Sequence, residues 1–474
     1  MLKSMRILLA LPPDIHNLEI YRVAGMSAPP LGLAYIAAVL ENAGHKVAIL
    51  DSPTLRLDTK TFLQKVREFK PDVVGLSLIT PTAPKGYTAA KKIKEMCPDI
   101  IVIAGGPHVT YMYDEALDNG IDVVVRFEGE RTALELVDVL ERFGLNPDAL
   151  RKVRGIAYRD REGRTVVTEN REFIEDLDTL PFPARHLLPM DRYTVLGKSI
   201  RAAHIMASRG CPYGCIFCLT SYYWGRRVRY RSAKNVANEI QLVVEKYGAR
   251  YIIFTDDEFT LSRRFVYELI RELRERKLDI VFTCGARVDH MDREFMKFLV
   301  ENGCIALYFG VESGSQETLD RIGKGITLDQ CRKVFQWARE LGVFAMGSFV
   351  IGFPWETVDD IRKTIEFALE LDPSYAQFTV ATPYPGTPLF SYAVENNLIV
   401  DWNWEHYTTV RPVMRGFYLD VDTIARLLKE AYRRFYLRLD FIKREMASGR
   451  ILRIIPKLIK EALHTLVDAI RSRF

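Results

Sequence analysis

From Arg6 onward the chain alternates short, continuously apolar runs with amphipathic stretches of helical period, and it does so in two separate series. Continuously apolar strands joined by helices require a parallel sheet covered on both faces. The first series predicts strands at 6–11, 46–51, 73–78, 100–104 and 123–126, with helices at 31–43, 59–68 and 87–96. This is an α/β domain with a doubly wound parallel sheet, over residues 1–147. The second series predicts strands at 203–208, 251–255, 280–285, 305–311, 344–352 and 377–381, and helices at 234–246, 263–276, 292–301, 328–340 and 357–371. Six such units in succession imply a partial (β/α)6 barrel over residues 200–400. Between the two series, residues 155–159 and 165–169 read as a hairpin, and Thr179-Leu-Pro-Phe-Pro-Ala-Arg185 reads as an extended connector, so 148–199 is assigned to a hairpin and linker. Residues 401–474 read as a helical C-terminal region.

Ligands of parallel sheets and barrels sit at the carboxyl ends of the strands. In the first domain those ends carry Pro12-Pro13-Asp14, Asp51-Ser52-Pro53, Thr80-Pro81-Thr82-Ala83-Pro84 and Gly105-Gly106-Pro107-His108. None matches the dinucleotide or phosphate-loop patterns. In the second domain the loop after the first strand carries Cys211, Cys215 and Cys218, at CxxxCxxC spacing. Three thiolates are one short of the four that close a structural zinc site or saturate an iron–sulfur cluster, which leaves an open coordination position. The other four cysteines, Cys97, Cys284, Cys304 and Cys331, are isolated in apolar contexts and are expected to be buried structural thiols.

The cysteine triplet, with Phe217 before its last member, resembles the signature of radical S-adenosylmethionine (SAM) enzymes. The resemblance implies that Cys211, Cys215 and Cys218 hold a 4Fe–4S cluster whose fourth iron binds SAM. One electron then cleaves SAM to methionine and a 5′-deoxyadenosyl radical, which abstracts hydrogen from an unactivated carbon. It further implies that Asp256 and Asp257 contact the SAM amino group, that Glu312 and Ser313 face its methionyl and ribose parts, and that Pro383 lines the adenine side. Glu258 reads equally as an acidic residue at a helix N-terminus. Arg287 pairs either with the SAM carboxylate or with Asp289. Gly352-Phe-Pro-Trp355-Glu-Thr resembles a family motif with a glycine where Trp355 stands, which leaves the turn geometry there open.

In the first domain, Pro29-Pro30-Leu31-Gly32, Gly44-His45, Gly105-Gly106-Pro107-His108 and Glu128-Gly129-Glu130 resemble the cobalamin-binding domain that precedes many radical SAM barrels, as in the class B methylases. Thr80, Gly105, Gly106 and His108 are the implied cofactor contacts, with His108 otherwise a solvated loop residue. The Asp14-Ile-His16-Asn-Leu-Glu19 segment lacks the glycine that closes the mutase axial-ligand motif, so His16 is read as a loop residue. The first domain also has only Cys97, where a methylthiotransferase needs a second cysteine trio.

Together these features imply a cobalamin-dependent radical SAM enzyme that methylates or cyclises an unactivated carbon, with a flavodoxin- or ferredoxin-like electron donor. The other reading is a non-catalytic iron–sulfur or zinc protein whose first domain is a ligand-binding module. No apolar run reaches the length of a membrane span, and the N-terminus shows no secretory signal, so a cytoplasmic location is expected. Only six glutamines beside 127 charged residues suggest a thermophilic source.

The formal charge of +5 is concentrated late in the chain: residues 431–474 hold eleven Lys/Arg and four Asp/Glu, a balance of +7. From Pro456 to Phe474, Leu458, Ile459, Ala462, Leu466 and Ile470 recur at helical spacing opposite charged residues. That pattern fits either a peripheral membrane anchor or a helix packed on the protein itself. The anchor reading points to a lipid or isoprenoid-derived substrate; a water-soluble natural product, a peptide and a tetrapyrrole are the alternatives. No nucleic-acid-binding pattern accompanies the basic residues.

Overall fold

The computed structural model describes residues 4–13, 27–193 and 202–447. His16 and the helix expected at 456–474 lie outside the described residues. Seven strands form the first sheet: β1 (Arg6–Leu11), β2 (Lys46–Asp51), β3 (Val73–Ser77), β4 (Ile101–Gly105), β5 (Val123–Val125), β6 (Ile156–Arg159) and β7 (Thr165–Val167), in the order β2-β1-β3-β4-β5-β6-β7. β1 to β5 are parallel, and the direction of winding reverses at β1, which pairs with both β2 and β3. Alternate residues of β1 enter two different cores. Ile7 and Leu9 pack with Leu33, Ala37, Leu136 and Leu140, whereas Leu8 and Ala10 pack with Phe62, Val66, Ala90 and Ile93. Apolar side chains on both faces are what a doubly covered sheet requires.

The sequence expectation differs from the structure at two places here. The 148–199 hairpin is part of the first sheet: β6 pairs antiparallel with β5, and β7 with β6. Ile156, Ala157 and Tyr158 are buried there, and the hairpin covers an edge that β5 would otherwise expose. A helix at Glu130–Phe143, not expected from the sequence, buries Ala133, Leu136, Val137 and Leu140.

The second sheet contains β8 (Ala202–Ile205), β11 (Tyr251–Phe254), β12 (Val281–Ala286), β13 (Cys304–Glu312), β14 (Phe344–Ile351) and β15 (Tyr375–Val380), all parallel, in the order β15-β14-β13-β12-β11-β8. This is the expected six-stranded partial barrel. Its first strand ends sooner than predicted. Ser208–Arg209 forms a separate strand, β9, antiparallel to β10 (Arg229–Tyr230), and the two bracket the cysteine loop.

Over residues 401–447 the C-terminal region is less helical and more integral than its sequence suggests. Residues 401–420 are largely irregular, tied by an Ile399–Met414 bridge. The helix Val421–Tyr436 then covers the outer side of β15, with the Tyr432 hydroxyl donating to Phe378 O at 2.9 Å and the Tyr436 hydroxyl to Ala376 O at 2.7 Å. Among the described residues no helix is long and apolar enough to cross a membrane.

Candidate functional site

The cysteine loop starts where β9 leaves the barrel and is stitched to the loop after β13. Ile216 N donates to Ile322 O at 3.1 Å, and the Cys215 thiol to Gly323 O at 3.7 Å. Cys215 is buried, and Cys211 and Cys218 are partly exposed. Burial pushes the Cys211 thiol up to about 11, and Cys218, Asp257 and Cys215 lie close enough to add to the rise. Burial likewise raises Cys215, on which Lys324, Glu312, Arg287 and Cys218 also act. The three thiols thus share one recess with two cations. Thiolates that each bind a different iron need no common centre, and buried cations beside them offset an anionic cluster. The donor set of three thiols beside these side chains fits a 4Fe–4S cluster.

Several predicted residues converge on this recess. Arg287 at the end of β12 is gripped by Asp289 at 2.9 and 3.1 Å, donates to Lys324 O at 2.6 Å, and lies 3.5 Å from the centre of the Tyr213 ring. Asp289 is the acidic neighbour expected for it. Glu312 ends β13 at φ +69°, just past a register shift, and binds Lys324 Nζ at 2.7 Å with both side chains buried. Gly310 leaves the room for this pair, since a Cβ there would overlap both partners. Asp257 accepts from the Thr220 hydroxyl at 3.0 Å, inside the cysteine loop.

Other predicted residues are turned to internal tasks. Asp256 accepts from Ala207 N at 3.2 Å and from the Ser208 hydroxyl, and burial raises its carboxyl to about 6. Glu258 caps the short turn after it, accepting from Thr260 N at 3.0 Å, and burial raises it to about 7. The Ser313 hydroxyl lies 3.2 Å from Thr364 Oγ1 and accepts from Ser315 N. Pro383 is buried just past β15. Trp355 stacks on Phe353 at 5.6 Å under the Arg321 guanidinium, so an aromatic wall stands where the glycine was expected.

At the first sheet, Gly105 ends β4 and Gly106 follows it, two strands from the reversal of winding at β1. Gly106 has φ +107°, and a Cβ there would meet Leu78 O at 2.6 Å. Ile79, at the end of β3, is 42% exposed, an apolar surface of the kind a flat macrocycle covers. Thr80 and His108 meet each other, Oγ1 to Nδ1 at 3.3 Å. His108 is not the solvated loop histidine its context suggests: it is 1% exposed and packs edge-on against Trp404, whose indole donates to both Glu115 oxygens at 2.9 Å.

The sequence alone does not single out Lys324, Tyr213 or Trp404. A lysine held between Gly323 and Gly325 was the one available signal for the first. Of the isolated cysteines, Cys284, Cys304 and Cys331 are buried as expected, whereas Cys97 is partly exposed.

The B12 binding domain family model matches residues 20–137, and the Radical SAM superfamily model matches residues 205–368. An uncharacterized methyltransferase of Pyrococcus horikoshii is 40% identical over 439 residues, 92% of this chain and 94% of that one. The anaerobic magnesium-protoporphyrin IX monomethyl ester cyclase of Rubrivivax gelatinosus is 30% identical over 88% of this chain and 75% of its own. The radical SAM methyltransferase TsrM of Kitasatospora setae, solved with cobalamin and a 4Fe–4S cluster, shares the fold with a TM-score of 0.67 at 21% identity, covering 83% of this chain and 75% of that one. With both domains matched in order and a relative 40% identical along nearly its full length, the chain belongs to the cobalamin-dependent radical SAM enzymes, whose cofactors are a 4Fe–4S cluster, SAM and cobalamin.

Proposed function

We propose that the chain transfers a methyl group to an unactivated carbon of a lipid or isoprenoid-derived substrate. The observation that carries the radical chemistry is the shared recess of Cys211, Cys215 and Cys218 with Arg287 and the buried Lys324–Glu312 pair, at the carboxyl ends of the barrel strands. When bound, the cluster and SAM supply the substrate radical and cobalamin supplies the methyl group. Cys211, Cys215 and Cys218 hold the cluster. Asp257, Arg287 and Glu312 bind the polar ends of SAM and Pro383 its adenine side, while Asp256 and Ser313 fix the loops that carry them. Thr80, Gly105 and Gly106 form the cobalamin contact, with His108 supporting Thr80 from below. An external flavodoxin- or ferredoxin-like protein supplies the electron. Cyclisation is the second reading, favoured by the Rubrivivax relative.

The substrate class is supported by the barrel's inner face. Tyr308, Met346, Ser348 and Gln377 share that face by register and are only partly buried, whereas the outward Leu307, Phe309, Ala345 and Phe349 are fully covered. Apart from the Glu312–Lys324 pair that closes over Gly310, these side chains are uncharged, which suits a weakly polar substrate. The basic balance of residues 431–474 and the exposed Leu437, Leu439 and Met446 support approach to an anionic membrane surface. The test presents reconstituted enzyme with methyl-labelled SAM and anionic vesicles carrying a total lipid extract. Label is expected in the lipid fraction, and less of it after deletion of residues 456–474. Label confined to an aqueous extract overturns the lipid assignment.

A further inference from the structure

Four charged side chains are buried between the first sheet and the cysteine loop. Glu128 and Glu130 follow β5, Arg209 ends β9 two residues before Cys211, and Arg229 opens β10; none is more than 6% exposed. The Arg209 guanidinium forks between the two acids, at 3.0 Å from Glu128 Oε1 and 2.5 Å from Glu130 Oε1. Arg229 holds both Glu128 oxygens at 2.8 and 3.0 Å and donates to Ile174 O at 2.8 Å, while Glu128 accepts from Ile174 N at 2.6 Å. The rings of Tyr35 and Trp224 flank Arg209 at 5.4 and 5.1 Å.

Burying such a set costs several kcal/mol per ion, and well-packed apolar residues usually stabilise as well or better. Stability alone is therefore a poor reason for it. What a forked, fully desolvated guanidinium does provide is fixed geometry. The far end of the same loop is held from the same side: the Tyr111 hydroxyl donates to Tyr222 O at 2.8 Å, and the Tyr223 hydroxyl to Phe127 O at 3.0 Å. Phe127 takes φ +59°, a strained value for a non-glycine residue, directly before Glu128. The cysteine loop is thus anchored at both ends by the first sheet.

We propose that Glu128 and Glu130 are positioning residues for the cluster loop: through Arg209 they set the separation between the cobalamin site and the cluster. The proposal rests on the functional reading of those two sites. It explains why the acid pair lies at an interface rather than at the ligand loops, and why the arginine stands so close to the first cysteine.

The test compares the full-length reconstituted protein with Glu130→Gln, which keeps shape and leaves Glu128 to hold Arg209, and with Arg209→Lys, which keeps charge but cannot fork. Iron content, cobalamin retention and thermal midpoint are measured alongside the magnetic interaction between reduced cluster and cob(II)alamin by pulsed electron paramagnetic resonance. Both variants are expected to retain iron and cobalamin, to show an altered or broadened spin–spin interaction, and to form 5′-deoxyadenosine roughly tenfold to a hundredfold more slowly. Should Glu130→Gln fail to fold, Arg209→Lys carries the same test. An unchanged interaction in variants that hold both cofactors overturns the positioning role, even if the thermal midpoint falls. Loss of iron or cobalamin from the unsubstituted protein overturns the functional reading instead, and this proposal with it.

Discussion

Lys324 is buried, charged and paired with Glu312, whose backbone already sits in the left-handed region. Removing one member of such a pair strands the other charge in a low-dielectric recess. Lys324→Met is expected to destabilise the protein by about 3 kcal/mol in chemical denaturation, with a large part recovered in the Lys324→Met/Glu312→Gln double variant. Additive losses would show that the pair is not coupled. Glu356 offers a test by pH. It is fully buried, one oxygen accepts from Gly352 N at 2.7 Å and Phe353 N at 3.0 Å, and burial pushes its carboxyl up to about 8. A folded chain that holds a proton the unfolded chain releases near 4.5 is most stable below that value and loses stability as pH rises through about 8. Glu356→Gln stays neutral, so its stability relative to the native protein should rise between about pH 5 and pH 8; a constant difference would contradict the raised carboxyl. The thiol triplet and Glu312 stand out in the sequence because their motifs are local, and the fold brings Glu312 close to Cys215. Lys324 does not, because its role depends on the register shift in β13 that swings Glu312 toward it.

The strand-end loops of the first sheet carry their information in backbone geometry. Gly106→Ala puts a methyl group against Leu78 O at 2.6 Å in a left-handed conformation, whereas a Cβ at Gly105 meets nothing nearer than Val125 O at 3.5 Å. Gly106→Ala should therefore destabilise the protein by more than about 1 kcal/mol. Gly105→Ala should melt normally and instead retain less cobalamin after desalting, because its methyl enters the space assigned to the cofactor. Equal retention by Gly105→Ala and the native protein would move the cofactor away from β4. The parallel strands themselves were readable from continuous apolar runs, and all eleven predicted strands of the two parallel sheets appear within about two residues, apart from the first barrel strand. That strand breaks after Ile205 because Ser208–Arg209 pairs with Arg229–Tyr230, and no local pattern announces a two-residue ribbon. The hairpin was seen, but its attachment to β5 is a long-range pairing that periodicity cannot reveal.

At the scale of the whole molecule, the two α/β units are joined by buried charge. Besides the Glu128–Glu130 clamp, Arg185 and Arg231 both grip Glu239, and the Arg185 Nη1 to Glu239 Oε1 distance is 2.5 Å. Arg185 belongs to the connector between the two units, and it is 2% exposed. In sequence these arginines look like surface residues, because their acids lie 8 to 101 positions away. The same architecture sets the cobalamin domain beside the cysteine loop, where SAM cleavage at a cluster held by three thiolates is proposed. The most direct measurement is anaerobic reconstitution of the full chain with iron, sulfide and hydroxocobalamin, followed by reduction in the presence of SAM. The native protein is expected to hold a 4Fe–4S cluster and to yield methionine and 5′-deoxyadenosine, and Cys215→Ala none of these. A protein that binds zinc in place of the cluster and never cleaves SAM, or a Cys215→Ala variant that cleaves it as fast as the native chain, would contradict the proposal.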